Sequence, residues 1–272
     1  MSSGLQSGNL ADGRARLHDL ASVGYLGGLA VLLALFGGDV PGRAYLIGLH
    51  LLWIGGILAL VRLAGRSRWL LPARVFYPLP LLLFAWNELD ALIPMLYGSY
   101  WGTDWIVRLD RALFGAHPTV WVQRLYRPWL DELMAILYSG YYLFLAVPVV
   151  LWARGKRRAA MAAMGLISID YFTNFTAFLL LPTKSPPQIL AEYPSLRPSD
   201  FDGYWIASAT RRLQESESVT GAAFPSSHVS GSVVCTLAAL RWEPRLGRVL
   251  APLALGVAVA TVYLGYHHAV DP

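Results

Sequence analysis

Three short polar segments interrupt an otherwise apolar chain: residues 182–187, 221–228 and 263–271. In the middle segment, Pro225, Ser226 and Ser227 precede an apolar run, as residues at a helix N-terminus often do. Free backbone N–H groups, the two hydroxyls and the helix dipole would together form a site for an anion. His228 falls in the first turn, where an imidazole that titrates near neutral pH could donate a proton to the bound group. An ordinary helix cap with an interfacial histidine is the alternative interpretation.

The third segment contains a histidine and an aspartate four residues apart, His267 and Asp271. On a helix this spacing would place both side chains on one face, where the carboxylate could accept a hydrogen bond from one ring nitrogen. The carboxylate would then fix the tautomer and leave the other nitrogen as a nucleophile or base. A pair that only stabilises a helix end is the alternative. His268 would point about 100° away from His267 around the helix, which makes it the weaker candidate.

The composition indicates that a membrane protein carries these segments. The 272 residues are 56% hydrophobic and only 14% charged, with a mean hydropathy of +0.46, whereas soluble domains carry about 25% charged residues. The formal charge of +5 does not indicate nucleic acid binding, because the basic residues form short clusters between apolar stretches. The single cysteine, Cys235, lies within an apolar stretch, which excludes a disulfide framework and a cysteine metal site.

We predict an all-α fold, a polytopic transmembrane helical bundle with seven spans. The first apolar stretch follows a polar leader and precedes further spans, so we interpret it as a helix and not as a cleaved signal peptide. The leader covers residues 1–18, the N-terminal membrane helices 19–97, and the part with the polar segments 98–272. The predicted spans are residues 19–37, 44–64, 75–97, 131–153, 160–181, 227–242 and 248–266.

Four short basic clusters orient these spans. They precede the first span or lie between spans two and three, four and five, and six and seven, so all four fall on one side of the bilayer. The positive-inside rule places that side, and the N-terminus, in the cytoplasm. The three polar segments then meet at the opposite, extracytoplasmic surface. The sequence stops directly after the seventh span, and a further inward-returning helix is the alternative to a chain that ends outside.

Two long connections cross the predicted outer face. Residues 98–130 begin with a stretch in which aromatic or aliphatic residues alternate with charges, which is typical of an amphipathic helix in the membrane interface. Residues 182–226 are rich in proline, which predicts an irregular loop over the bundle.

The two histidine segments resemble those of the type 2 phosphatidic acid phosphatase (PAP2) superfamily. Phe-Pro-Ser-Ser-His at 224–228 is followed, after one inward and one outward helix, by Tyr-Leu-Gly-Tyr-His-His-Ala-Val-Asp at 263–271. The stretch from Asp104 to Gly115 and the turn at 182–187 are similar to the branch that contains inositol phosphorylceramide synthases. The resemblance implies a six-helix core of the PAP2 type, with 98–272 as the catalytic part.

This resemblance also implies a mechanism and a substrate class. His267 would attack the phosphorus of a lipid phosphate, Asp271 would orient the imidazole, and His228 would protonate the leaving oxygen. The phosphohistidine would then pass its phosphoryl group to water, as in a lipid-phosphate phosphohydrolase. No metal or other cofactor is expected. The groups expected to hold the phosphate oxygens are Lys184, Ser226, Ser227 and Arg197.

The sequence departs from the superfamily's motifs in its basic residues. The first motif usually pairs a lysine with Arg-Pro six residues later, but here Arg197 lies farther from Lys184. The third motif usually opens with Ser-Arg, where this chain has Ala260-Thr261. Losing that arginine removes a bidentate phosphate clamp, although the branch resembled often lacks it. Either activity is weak or other basic residues of the outer face replace the arginine, namely Arg108, Arg111, Arg211 and Arg212.

Two other functions stay open at this point. An alcohol acceptor in place of water would make the protein a phosphoalcohol headgroup transferase between lipids, of the inositol phosphorylceramide synthase type. A transporter or non-catalytic protein of the same fold would function without His267. The expected partners are a lipid phosphate or phospholipid and the bilayer, in a bacterial plasma membrane, with no nucleic acid.

Overall fold

The computed structural model describes residues 13–67, 69–189 and 203–272. Within these residues no strand forms, and one isolated parallel bridge joins Thr183 to Ala222. The all-α prediction is therefore confirmed. Two short 3-10 turns cover Val122–Leu125 and Pro186–Ile189. The α-helices are α1 (Leu17–Phe36), α2 (Arg43–Leu63), α3 (Leu70–Phe76), α4 (Pro78–Tyr97), α5 (Gly102–Phe114), α6 (Pro118–Trp121), α7 (Pro128–Ser139), α8 (Tyr141–Phe144), α9 (Val147–Ala153), α10 (Arg157–Leu180), α11 (Trp205–Glu217), α12 (Ser227–Trp242) and α13 (Pro244–Tyr263).

The helices include enough long apolar stretches for an integral membrane protein. Among the described residues, five stretches are long and apolar enough to cross a bilayer: α1, α2, α3 with α4, α10 and α13. The helices α7 to α9, which correspond to the predicted span 131–153, would form a sixth span that is bent at a short break. The predicted span 227–242 is the 16-residue helix α12, which is short for a bilayer that needs about 20 residues. The structure thus differs from seven uniform spans at these two places.

The described chain forms two compact units, and the first comprises residues up to Phe84 together with Pro148–Phe172. Here α1 packs against α2, with a core that includes Leu26, Leu33 and Ile57. A buried ion pair fixes the beginning of α1, because Asp19 Oδ2 lies 2.8 Å from Nη2 of Arg74. In an apolar protein such a charge pair holds two chain segments in one arrangement.

The second unit comprises Ala85–Val147 and Thr173–Pro272, and it contains all three polar segments of the sequence. In it α13 packs against both α12 and α7. The hydroxyl of Tyr263 donates a 2.7 Å hydrogen bond to the buried Asp131, so the end of α13 is fixed to α7. The buried core beside this bond consists of Tyr138, Ala260, Tyr263, Leu264 and Tyr266.

Helix α5 is amphipathic, as predicted for the first long connection. Ile106, Val107 and Asp110 are buried on one side, whereas Trp105 and Phe114 are about half exposed. A helix with exposed aromatic side chains suits the membrane interface, and that placement stays a prediction.

The prediction of an irregular loop over 182–226 is wrong for the part from Trp205 to Glu217, which forms α11. The face that α11 buries carries Ala207, Thr210 and Gln214, whereas Trp205 and Leu213 are exposed. Hydrophobic periodicity predicts a helix from an apolar buried face. The buried face of α11 is small and polar, so this signal was missing.

Candidate active site

A short parallel bridge brings the first two polar segments together. The Thr183 N–H donates to the Gly221 carbonyl at 2.9 Å, and the Ala223 N–H donates to the Thr183 carbonyl at 3.0 Å. Gly221 has a φ of 95°, and a Cβ added to it would lie 2.8 Å from both Ile93 and Tyr100. This segment therefore depends on glycine for its backbone conformation and for its close packing.

The buried imidazole of His267 is held on both sides. Its Nδ1 lies 2.9 Å from the carbonyl oxygen of Ala223, and its Nε2 lies 3.2 Å from the hydroxyl of Ser226. A carbonyl oxygen can only accept, so Nδ1 carries the hydrogen. In the neutral imidazole Nε2 then has the free lone pair, and the Ser226 hydroxyl donates to it.

Asp271 lies close to His267, but the predicted helical arrangement of the pair is wrong. Helix α13 ends at Tyr263, and Gly265 turns the chain with a φ of 74° before the pair is reached. Asp271 Oδ2 is 3.4 Å from His267 Nδ1, whereas the Ala223 carbonyl oxygen is 2.9 Å from the same nitrogen. The same oxygen accepts a 2.7 Å hydrogen bond from the His268 N–H. The carboxylate thus supports the backbone of this segment and supplies negative charge near the imidazole.

His228 lies in the first turn of α12, as predicted, and faces the same site. The centroids of its ring and the ring of His267 are 6.0 Å apart. Its Nε2 is 3.1 Å from the hydroxyl of Tyr138, while its buried Nδ1 has no hydrogen-bond partner among the described residues. No motif in the sequence selects Tyr138, because this residue falls within a predicted membrane span.

The two serines lie at the start of α12, but Ser226 is not an ordinary helix cap. It occupies the N-cap position, yet within the described chain its side chain makes no capping hydrogen bond and contacts His267 instead. Ser227 is the first residue of the helix and is buried. The first N–H groups of a helix have no partner within it, so this end of α12 keeps the donors that an anion would need.

The predicted cations are placed differently from the serines. Nζ of Lys184 lies 5.1 Å from the centre of the Tyr100 ring, a cation–π arrangement. The Lys184 carbonyl accepts a 3.1 Å hydrogen bond from His268 Nε2, which joins the first polar segment to the third. Arg197 lies outside the described residues, so its proposed role stays a prediction.

A buried carboxylate of α5 also supports the third segment. Asp110 Oδ1 accepts a 3.0 Å hydrogen bond from the Val270 N–H, while its Oδ2 has no hydrogen-bond partner within the described chain. Burial raises the pKa of the Asp110 carboxyl above its usual value. The sequence analysis placed Asp110 only in an amphipathic helix, because a contact over 160 residues leaves no local pattern.

The arrangement places an imidazole lone pair, a second imidazole and a helix N-terminus side by side. Such a set can attack an electrophilic phosphorus, donate a proton and stabilise negative charge. Among the described residues, no group of three or more His, Cys, Asp or Glu side chains is placed to hold a metal ion.

Comparison with known proteins identifies the superfamily of the chain. A family model for the PAP2 superfamily matches residues 104–272, more than half of the chain. The chain therefore belongs to the PAP2 superfamily, whose members are generally phosphatases or phosphotransferases. The predicted superfamily is confirmed, while the inositol phosphorylceramide synthase branch stays a prediction.

One similar protein is a PA-phosphatase related-family protein of Dictyostelium discoideum. It is 30% identical over 102 residues, a match that covers 37% of this chain and 18% of that relative. The chain thus spans less than a fifth of the length of the relative it matches. No solved structure matches the chain.

The bridge gives a testable role to Gly221. We expect Gly221→Ala to lower the free energy of unfolding by about 1–3 kcal/mol or more, and with it the melting temperature, because the strained backbone and the steric clash add together. The matched control is Gly115→Ala, since Gly115 also has a positive φ but an added Cβ meets nothing within 4 Å. Labelling of the buried Cys235 by a thiol-reactive dye during heating measures both variants. Equal melting temperatures for the two variants would contradict the packing argument.

Proposed function

We propose that this protein is a membrane lipid-phosphate phosphohydrolase that works through a phosphohistidine on His267. In the first step Nε2 of His267 attacks phosphorus, and the bond from phosphorus to the lipid oxygen breaks. His228 gives its proton to that oxygen, so the lipid leaves as an alcohol. In the second step water attacks the phosphohistidine, His228 takes a proton from this water, and inorganic phosphate leaves.

The hydrogen bonds of His267 are the observation that carries this proposal. Because Nδ1 donates to the Ala223 carbonyl, the lone pair of the neutral ring lies on Nε2, beside the start of α12. A nucleophile must have its lone pair free on the side where the substrate binds. The Ser226 hydroxyl is already there, and it can turn to a phosphate oxygen when Nε2 bonds to phosphorus.

The N-terminal end of α12 supports binding of the phosphate. Its first N–H groups and the Ser227 hydroxyl would donate to the non-bridging oxygens, where charge grows during the transfer. Lys184 would contribute by moving its ammonium group from the Tyr100 ring towards the phosphate. Arg197 is the second cation proposed for the phosphate.

A lipid is the proposed substrate because the site belongs to a membrane protein of this superfamily. The exposed aromatic side chains of α5 would place the site near the lipid headgroups. We place this face outside the cytoplasm, since the four basic clusters orient the chain that way. An alcohol in place of water would turn the same steps into headgroup transfer, the second function that the site allows.

The proposed nucleophile is tested with the purified full-length protein in metal-free buffer. We expect His267→Gln to lower phosphate release from dioctanoyl phosphatidate by about a thousandfold or more, because the nucleophile is lost. His268→Gln is the matched control, since a glutamine amide can still donate to the Lys184 carbonyl; it should keep most of the activity. Equal activity of the two variants would contradict the assignment. A folded wild type that releases phosphate only when a second lipid alcohol is added would favour headgroup transfer.

The proposed topology is tested by labelling with a membrane-impermeant thiol reagent. In a Cys235→Ala background, we expect a cysteine at Ala116 to react in right-side-out spheroplasts. A cysteine at Lys156 should react only after lysis, because it lies in a basic cluster that the positive-inside rule places in the cytoplasm. Both positions are exposed in the structure, so burial does not explain a difference. The reverse pattern would place the candidate site inside the cell.

A further inference from the structure

A chain of two hydrogen bonds connects the proposed proton donor to α11. The Tyr138 hydroxyl donates a 2.9 Å hydrogen bond to the Gln214 side-chain oxygen and lies 3.1 Å from Nε2 of His228. The rings of Tyr138 and His228 are stacked, with centroids 4.9 Å apart and an interplanar angle of 29°. The Tyr141 ring covers His228 from a second direction at 4.5 Å. The imidazole is therefore held by contacts to its ring faces and to one nitrogen.

The donors in this chain fix which nitrogen of His228 carries a hydrogen. A tyrosine hydroxyl has one hydrogen, and here it is used in the bond to Gln214. The bond between Tyr138 and His228 must then be donated by the Nε2–H of the imidazole. The neutral ring has its lone pair on Nδ1, the nitrogen without a hydrogen-bond partner among the described residues.

Helix α11 is attached to α7 by polar contacts along its length. The Glu132 carboxylate accepts the N–H groups of Ile206 and Ala207 at 2.9 and 3.0 Å and so caps the beginning of α11. Farther along, the hydroxyls of Ser139 and Thr210 lie 2.8 Å apart. The contact between Tyr138 and Gln214 lies one turn farther along α11, and it continues to the candidate site.

We propose that Tyr138, oriented by Gln214 of α11, is a positioning residue that holds the Nε2–H of His228 and leaves Nδ1 to transfer the proton. This inference rests on the proposed function. The ring enters the reaction doubly protonated. In the first step Nδ1 gives its proton to the leaving lipid oxygen, while the Nε2–H stays bonded to Tyr138. In the second step Nδ1 takes a proton from the attacking water, which restores the starting state. Helix α11 thus contributes to catalysis by orienting Tyr138.

The test uses the dependence of the reaction on its leaving group. An alkoxide leaving group needs a proton from the general acid, whereas p-nitrophenolate leaves without one. We expect Tyr138→Phe to lower the first-turnover rate of alcohol release from dioctanoyl phosphatidate by about 10- to 100-fold, part of the 10²- to 10⁴-fold that general acid catalysis supplies. For p-nitrophenyl phosphate the first-turnover burst of p-nitrophenolate should slow by less than about threefold, because the general acid contributes little to this step and the burst precedes the water step that both substrates share. A purely structural defect would lower both values in the same proportion.

The matched control for the attachment of α11 is Thr210→Val. It removes the contact to Ser139, another polar contact between α7 and α11, but it leaves the chain from Gln214 to His228 in place. We expect the ratio of the two first-turnover rates to stay at the wild-type level in this variant. Tyr138→Phe with an unchanged ratio would overturn the proposal. A folded wild type that releases phosphate from neither substrate would instead overturn the proposed function on which it rests.

A double-mutant cycle gives a second measurement that needs only the phosphatidate substrate. If Gln214 acts through Tyr138, then Gln214→Leu lowers kcat in the wild type but causes no further loss in the Tyr138→Phe background. Losses that multiply would show that the two residues act separately, which would overturn the proposal. Melting curves read from Cys235 identify any variant that has lost its fold.

Discussion

The candidate site depends on one backbone acceptor, the carbonyl of Ala223. It binds the Nδ1–H of His267 at 2.9 Å and so leaves the lone pair of Nε2 on the side of Ser226. The N–H of Ala223 donates a hydrogen bond to the Thr183 carbonyl, so the bridge between the first two polar segments also orients the carbonyl of Ala223. A backbone carbonyl is only an acceptor at every pH, whereas a carboxylate gains a donor hydrogen on protonation. The tautomer of His267 is therefore set by the fold, and Asp271 adds charge and backbone support.

The sequence selected residues that the fold brings together, but it did not predict their geometry. The histidines, the serines and the aspartate could be selected because their types and spacing interrupt a chain that is otherwise apolar. Their arrangement could not, because the helical spacing of His267 and Asp271 has no meaning once α13 ends at Tyr263. Nothing local indicates that His267 binds a carbonyl 44 residues earlier in the chain. The fold class was predictable because it follows from composition and from long apolar stretches.

The parts that the sequence did not predict are polar contacts inside an apolar protein. The buried face of α11 carries Thr210 and Gln214, and the residue it meets, Tyr138, lies in an apolar stretch. Each of these residues has an ordinary place in the sequence, and only their contact in the fold connects them to His228. In a protein surrounded by lipid, buried polar groups need partners, since exposure to hydrocarbon is costly. The polar network between α7, α11 and α12 meets this requirement and joins α11 to the site.

The proposed mechanism requires that Nε2 of His267 carries the phosphoryl group between the two steps. The most direct measurement is to mix the protein with phosphatidate labelled in its phosphate, quench within one turnover in alkali, and locate the label by mass spectrometry. The two phosphohistidine isomers are then distinguished by NMR of the isolated peptide. We expect the label on Nε2 of His267 and no label in His267→Gln. A label on Nδ1, on another residue, or on no residue while phosphate is being released would contradict this mechanism.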